Sequence, residues 1–518
     1  MQNFPWLTVL IALPAVGAIV LWLVPGAVRA AARQIAVAWS VIVFAGAVAA
    51  TCAYQSGTGA VRLTQSVNWI SQFGITYSVG VSGVGIVMIL LSTLLVPLVL
   101  LAAWKEQDTS ARSAHYAALV LILESFMVAV FAARDLVLFY ILFEAMLIPV
   151  YFLVGSFGGE GRKKAALKFL LYSLAGGLVM LAGVIGLWSY AGSDPGSMRI
   201  DNLTGLHLGT VPERLIFLAF FVAFAIKAPM WPVHTWLPDT AQAAKPGTSV
   251  LLVGVLDKVG TFGMLTLCLP LFPNASRWAA PVIIVLAIVS IIWGGLMALA
   301  QKDILRFIAY TSVSHFGFIV LGIFAFTQTS ELGSTFYMVN HGLSTGALFF
   351  LAGYLIRRRG TQNMAEMGPG LQRNFPLLAG TFLVTGLAVI ALPGLSTFVS
   401  ELQVIVGAFQ THHVAAVIAA AGVILAALYI LMTYQRVFTG PKRMDLTGEG
   451  AKDLGGRELT VVGVLIAIML VLGFYPSPAV NILNDSAQTA VTQSGSTQAT
   501  HQGVVTGPTS GEQKGGQQ

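Results

Sequence analysis

AIKAPMWPVHTWLPD, residues 225–239, decides how this chain must fold. Lys227 closes a long apolar run and is followed by Pro229, Pro232 and Pro238. Each proline lacks an N–H and crowds the carbonyl four residues back, so a helix arriving at Lys227 must break there and leave backbone polar groups free beside a cation. Three more ionisable residues, Glu144, Lys258 and Glu401, also interrupt long apolar runs. Charge at the centre of a bilayer costs roughly 2.5–3.5 kcal/mol per group on insertion scales, so such residues persist where they line a polar path or pair with one another.

Composition agrees with a membrane setting. Of 518 residues, 56% are hydrophobic and 9% charged, with a mean hydropathy of +0.82, which is the profile of a polytopic membrane protein. The net charge of +7 does not mark a nucleic-acid surface, because the basic residues sit in short loops with no interleaved aromatic patch. Cys52 and Cys268 stand alone in apolar runs, so neither a disulfide framework nor an iron–sulfur or zinc ligand set is expected. The opening MQNFPW lacks the basic region of a signal peptide, and the apolar run after it is long enough to span, so it is expected to be retained.

Runs of about 17–25 apolar residues suffice to cross the bilayer as helix, and about fourteen are present. They cover residues 4–25, 35–54, 84–104, 115–133, 136–156, 166–190, 214–230, 248–272, 280–300, 303–325, 333–357, 376–410, 412–437 and 459–476. Alternate loops from the first hold twenty of the 28 lysines and arginines, including Arg162, Lys163 and Lys164. The opposite side holds six, and Lys227 and Lys258 are intramembrane. Basic loops stay cytoplasmic, so both termini are expected outside.

The run 376–410 is too long for one straight crossing and carries Leu392-Pro393-Gly394 seven residues before Glu401, so it should break as the helix at Lys227 does. Interrupted helices at matching places in two halves point to repeats with an ion site at each break. Units at 115–272 and 280–437 have five helices each, and an odd number makes the repeats inverted. The expected architecture is therefore an all-α polytopic membrane protein. Its parts are residues 1–114 with an external hairpin at 61–80, the two repeats, a last helix within 438–483 and a disordered Gln-, Gly-, Ser- and Thr-rich tail at 484–518.

At these residues the chain resembles a known family. YILFEAMLIPVYFLVG around Glu144, AIKAPMWPVHTWLPD around Lys227, VGTFG after Lys258, AYTSVSHFGFI around His315, VNHGLSTGALFFL around His341 and ALPGLSTFVSE ending at Glu401 look like the antiporter-like subunits of respiratory complex I. The similarity covers residues 80–440. Most such subunits carry lysine at the position of Glu401 and the M type, counterpart of mitochondrial subunit four, carries glutamate. The L type is disfavoured because no long amphipathic helix follows the last span.

The resemblance implies that Glu144 and Lys227 form a pair on neighbouring helices. At about 7 Å and an effective dielectric near 20 the pair would interact by about 2.4 kcal/mol. Approach of Glu144 would hold a proton on Lys227, and withdrawal would release it to Lys258. His315 or His341 would relay it, bridged by buried water, and Glu401 would deliver it outward. Each histidine taken singly is equally explained by a structural hydrogen bond. Glu124 would help Glu144 respond to an adjacent subunit, unless it only packs a helix interface. His234 and Asp239 would shape the entrance, though a plain turn explains Asp239 as well. No cofactor is expected in this chain; NADH, FMN, iron–sulfur clusters and quinone would belong to companion subunits, and the partners would be other membrane-arm subunits and lipid, with no nucleic acid.

The sequence departs from the family pattern where Ser82 replaces a usual acid, where Thr240-Ala241 replaces Ala-His, and where Asp257 adds an acid beside Lys258. All three put proton uptake in question. The competing readings are a subunit of a multi-subunit sodium/proton antiporter or related membrane-bound hydrogenase, and a membrane cytochrome with His315 and His341 as axial ligands of one haem.

Overall fold

A computed structural model of the chain describes residues 4–23, 31–57, 59–106, 109–441 and 452–493. Arg29, Lys442, Arg443, Lys514 and the tail from 494 onward lie outside the described residues. Helices α1 (Trp6–Leu23) and α2 (Ala32–Gln55) lead to a β-hairpin of β1 (Arg62–Ile70) and β2 (Ile75–Val81), paired antiparallel with Val67 opposite Tyr77. Its turn needs Gly74, whose φ of 70° disfavours any residue with a Cβ. Helices α3 (Gly83–Ala102), α4 (Ser110–Ala132), α5 (Leu136–Ala145), α6 (Leu147–Phe157) and α7 (Arg162–Ala191) follow. The short α8 (Ile200–Leu203) then leads to α9 (Thr210–Lys227) and α10 (Trp236–Ala243).

One long buried stretch comes next, built from α11 (Pro246–Leu251), α12 (Lys258–Gly263) and α13 (Leu269–Leu271) joined by π-helical turns at Leu252–Leu256 and Met264–Cys268. Helices α14 (Pro273–Ala300), α15 (Ile304–Phe324), α16 (Gln328–Arg359) and α17 (Met364–Met367) precede a second broken pair, α18 (Pro376–Val389) and α19 (Ser396–Thr411). The chain continues through α20 (His413–Val437) and α21 (Gly456–Phe474) to α22 (Ser477–Gln493).

Side chains at the helix ends explain several boundaries. Asp135 and Asp303 cap α5 and α15, each accepting two backbone N–H bonds through one carboxyl oxygen. Thr327 and Ser330 close a reciprocal cap on α16. Glu213 is buried yet spoken for: it accepts from the N–H groups of Asn274 and Ala275, both at 3.0 Å, where α14 begins.

Helix α15 is buried along its whole length, and α16 and the α11–α13 stretch nearly so, whereas α1, α2, α20 and α21 bury only a third or less of their surface. The centre of the bundle is thus three helices shielded from lipid by the rest, and those three carry Lys258, His315 and His341.

Twelve helices among the described residues are long and apolar enough to cross a membrane, fewer than the fourteen expected. The two expected spans outside that set are α9, which carries Glu213, Arg214 and Lys227, and the α18–α19 pair, whose halves are 14 and 16 residues long. Both expected breaks are present: α9 ends on Lys227, and α18 ends at Val389, the residue whose carbonyl Pro393 crowds. The tail needs correcting, because residues 484–493 continue α22 and are not the start of a disordered segment. A polar surface hid the signal; Leu483, Ala487, Ala490 and Val491 recur at helical spacing and are the buried face.

Candidate functional site

Each intramembrane charge sits at an irregularity in its helix. Glu144 is two residues before Met146, where α5 gives way to α6 because Pro149 cannot bond to, and crowds, the Ala145 carbonyl. Lys227 is the last residue of α9, so its ammonium lies at the helix end that favours a cation. Lys258 follows a π-helical turn, and Glu401 lies in the second turn after the α18–α19 break.

The first cluster is built around Lys227, which is 1% exposed and whose Nζ has no hydrogen-bond partner. Its ammonium instead sits 5.0 Å from the centre of the Phe143 ring and 5.8 Å from that of Phe169. Glu144, next to Phe143, turns its carboxyl toward α7, and Oε1 is also without a partner. Gly177 of α7 makes room for it; a Cβ there would overlap the carboxyl group. The Glu144 and Asp257 carboxyls are the acidic groups whose fields act on Lys227. Asp257 acts on Lys258 too, and both of its oxygens are buried and unpartnered. The residue that departs from the family pattern therefore couples the two lysines through space.

A path of polar side chains in contact begins at Lys258. Its Nζ donates to the Val253 carbonyl in the adjoining π turn and lies 2.6 Å from Nδ1 of His341. With Lys258 charged, Nδ1 must accept, which puts the imidazole proton on Nε2, an atom without a partner. The His341 ring meets that of His315 edge to face at 5.3 Å between centres. His315 Nε2 lies 3.2 Å from the Tyr429 hydroxyl, and its ring is 5.8 Å from that of Tyr337. Tyr337 donates to Glu401 at 2.6 Å. Asn340 fixes the start of α19 by donating to the Ser396 carbonyl and the Ser400 hydroxyl, at 2.9 and 3.1 Å.

Lys258, His315, His341 and Glu401 are thus brought together, with Glu144 and Lys227 on the far side of Asp257. Sequence reading missed Tyr337, Tyr429 and Asn340. Tyr337 was within reach of it, since it lies four residues before His341 on the same helix. Tyr429 carries no such signal, being an isolated tyrosine in an apolar span.

The remaining candidates stand apart from this path. His234 is buried against Tyr310, its ring 6.1 Å away, with Nδ1 unpartnered. Asp239 is ion-paired with Lys168 at 2.6 Å and with Arg306. Burial works to raise its carboxyl, and the hydrogen bonds from Lys168 and Arg306 overcome this and hold it below the usual carboxylate range. Glu124 is fully buried with neither oxygen bonded, and nothing about it connects to Glu144. Ser82 caps α3 beside Arg134 and Asp201, at the end of the bundle away from Lys168 and Arg306.

His315 and His341 meet edge to face with ring centres 5.3 Å apart, which leaves no room for a porphyrin between the two rings, so the axial-ligand arrangement of the haem reading is not formed. Among the described residues no three His, Cys, Asp or Glu side chains converge to hold a metal, and both cysteines are free.

The family model for the NADH:quinone oxidoreductase/Mrp antiporter transmembrane region matches residues 133–428. NADH-quinone oxidoreductase subunit M of Mycobacterium tuberculosis is 43% identical over 96% of this chain and 95% of its own length. Its namesake from Rhodobacter capsulatus is 37% identical over 94% and 96%. Among solved structures, a chain of respiratory complex I from Thermus thermophilus with bound NADH aligns with a TM-score of 0.84 at 31% identity, covering 94% of this chain and 99% of that one. A chain of the Mrp complex from Dietzia sp. aligns at 0.81 over 94% and 97%, but at 20% identity this is a likeness of fold alone.

Proposed function

This chain belongs to the NADH:quinone oxidoreductase/Mrp antiporter family of membrane subunits, and from that premise we infer that it is the M-type subunit in the membrane arm of a proton-translocating NADH:quinone oxidoreductase. The observation that carries the reading is the succession of polar side chains in contact from Lys258 through His341, His315 and Tyr337, on the three most buried helices, to the buried Glu401 of α19. Glu144 and Lys227 act on each other's charge without a hydrogen bond, so their coupling depends on distance and can be changed by a small shift of the α5–α6 kink.

In this mechanism a proton held on Lys227 by Glu144 is released when Glu144 withdraws. Asp257 receives the field of both lysines and eases transfer to Lys258. From there the proton passes along the histidines, and Glu401 delivers it outward. Against a membrane potential of about 150 mV the transfer costs about 3.5 kcal/mol per charge, so electron transfer from NADH to quinone in companion subunits must drive it. The redox cofactors, FMN and iron–sulfur clusters, reside in those subunits. We assign the chain to a bacterial plasma membrane with both termini outside, on the distribution of its basic loops. The matching breaks at α9–α10 and α18–α19 support two inverted five-helix units over 115–272 and 280–437.

Glu144→Gln and Lys227→Ala test the reading in the intact complex. Both should suppress quinone-linked NADH oxidation and proton pumping while electron transfer from NADH to an artificial acceptor continues. Undiminished pumping in both variants would overturn it. An autonomous antiporter subunit would differ in sustaining sodium/proton exchange in membranes without NADH and quinone.

A further inference from the structure

A cleft of about 190 Å³ with a mixed polar and apolar lining opens at the end of the bundle away from the basic loops, and nothing in the path from Lys227 to Glu401 uses it. Its rim is the Arg134–Asp201 ion pair together with Ser82 and Thr489, and Ser486 lies within. Its floor is Thr266 in the second π-helical turn and Thr335 of α16. The volume admits several waters, and the walls give them partners. Thr266 and Thr335 each donate to their own helix backbone and keep a hydroxyl lone pair free to accept, while the Ser486 hydroxyl has no partner at all.

The floor reaches deep. Leu265, which also lines the cleft, is seven residues beyond Lys258 along one continuous helical stretch, or about 10 Å at the α-helical rise. Thr335 is two residues from Tyr337, the residue bonded to Glu401. Glu331 lies one turn from Thr335 on the same side of α16, fully buried with both carboxyl oxygens unpartnered. Over the cleft lies α22, packed across α3, α13 and α16. It is latched by the Arg62–Asp485 ion pair at 3.2 Å and by Gln328 donating to Asn484 at 3.2 Å. A helix strapped over a hydroxyl-bearing cleft at the ends of the three most buried helices is a cover, and hairpin and strap are tied together by one ion pair.

We propose that this cleft is the water-filled vestibule through which protons leave the subunit, with α22 as its lid and Glu331 as the buried acid that passes them to its water. Release here rests on the proton-translocating reading, whereas the existence of the vestibule does not. The proton moves as hydronium from the cleft to bulk water, and each group that gives one up is reprotonated from the Lys258–Glu401 path.

The test is thiol accessibility in the intact complex, in membrane vesicles of known sidedness and with Cys52→Ser as background. Thr335→Cys and Thr266→Cys are treated with a membrane-impermeant, positively charged methanethiosulfonate reagent, and Thr489→Cys at the rim serves as the positive control. Both floor positions should react from the side opposite the basic loops and not from the other, and Arg62→Ala should speed the reaction several-fold by releasing the lid. Modification should cut protons pumped per NADH several-fold, as should Glu331→Gln without any reagent. If the rim cysteine reacts and neither floor cysteine does, the cleft is dry and the vestibule is refuted. If the floor reacts while pumping by the modified complex and by Glu331→Gln is unchanged, release occurs elsewhere and that part of the proposal falls. Should Lys227→Ala and Glu144→Gln pump normally, the proton reading itself fails even where labelling succeeds, so the two failures are distinguishable.

Discussion

Around Lys227 the charged groups act on one another through space, the ammonium beside the Phe143 and Phe169 rings and without a hydrogen bond, whereas from Lys258 to Glu401 the polar groups touch, ring on ring and hydroxyl on carboxylate. The contrast separates two physical tasks. An interaction through space, in a site lined by carbon, changes smoothly with separation and suits a control element that responds to helix movement. A chain of touching polar side chains, hydrogen-bonded at its two ends, depends on direction and contact, and suits the carrying of protons. The hinge between the two regions is Asp257 and Lys258, and the largest prediction falls there. Lys258→Met removes the one side chain that belongs to both, and proton pumping by vesicles should disappear while electron transfer to an artificial acceptor persists; retention of half the pumping would break the division into control and relay.

Gly177→Ala addresses the control region alone. The added methyl overlaps the Glu144 carboxyl and must push it aside, so quinone-linked turnover should fall steeply. Shortening the acid in the double variant Gly177→Ala, Glu144→Asp should restore part of it, and a double-mutant cycle measures the coupling. Additive losses would mean that the carboxyl position does not matter. In the relay region, Tyr337→Phe deletes a charge-assisted hydrogen bond worth about 1.5–3 kcal/mol, equivalent to about tenfold or more in rate if that transfer limits turnover. The loss should be absent in a Glu401→Gln background. Glu401→Lys is milder: relatives in the family use lysine there, so partial pumping is expected, and a null phenotype would show that the Tyr337–Glu401 contact demands a carboxylate.

The smallest effect is expected outside both regions, at Asp239. Its ion pairs with Lys168 and Arg306 are a third exposed and worth about 0.2–1 kcal/mol after solvent screening. Because those partners hold the carboxyl below its ordinary range, its stabilising contribution is complete above the unfolded-state value and vanishes as pH falls through the lower folded value. The Tm difference between the unaltered complex and Asp239→Asn should therefore be small at neutral pH and close to zero in strong acid. A difference that grew on acidification would reverse the sign.

How much of this was legible depended on whether the signal is local. Prolines act within four residues, so the ends of α9 and α18 could be read from Pro229 and Pro393, and the kink beside Glu144 could have been read from Pro149 by the same rule. The π-helical turns around Lys258 leave no such mark, because Leu252–Leu256 and Met264–Cys268 are ordinary apolar residues. The polar tail from 484 was misread since the buried face of α22 is made of alanines as well as Leu483 and Val491, which carry little hydropathy against a surface of Asn, Asp, Gln and Thr.

By itself the sequence determined that this chain lives in lipid, where its helices break and which four charges lie between them, since hydropathy, proline geometry and the penalty for buried charge are properties of short segments. Only the tertiary structure decided that Lys258 meets His341, that Tyr337 carries the path to Glu401 while Tyr429 holds His315, that Gly177 gives Glu144 its room, and that a strap helix covers a cleft. Those are contacts between residues from about 60 to well over 100 positions apart in most cases, and what brings them together is the packing of three lipid-shielded helices against their neighbours, which no local rule encodes.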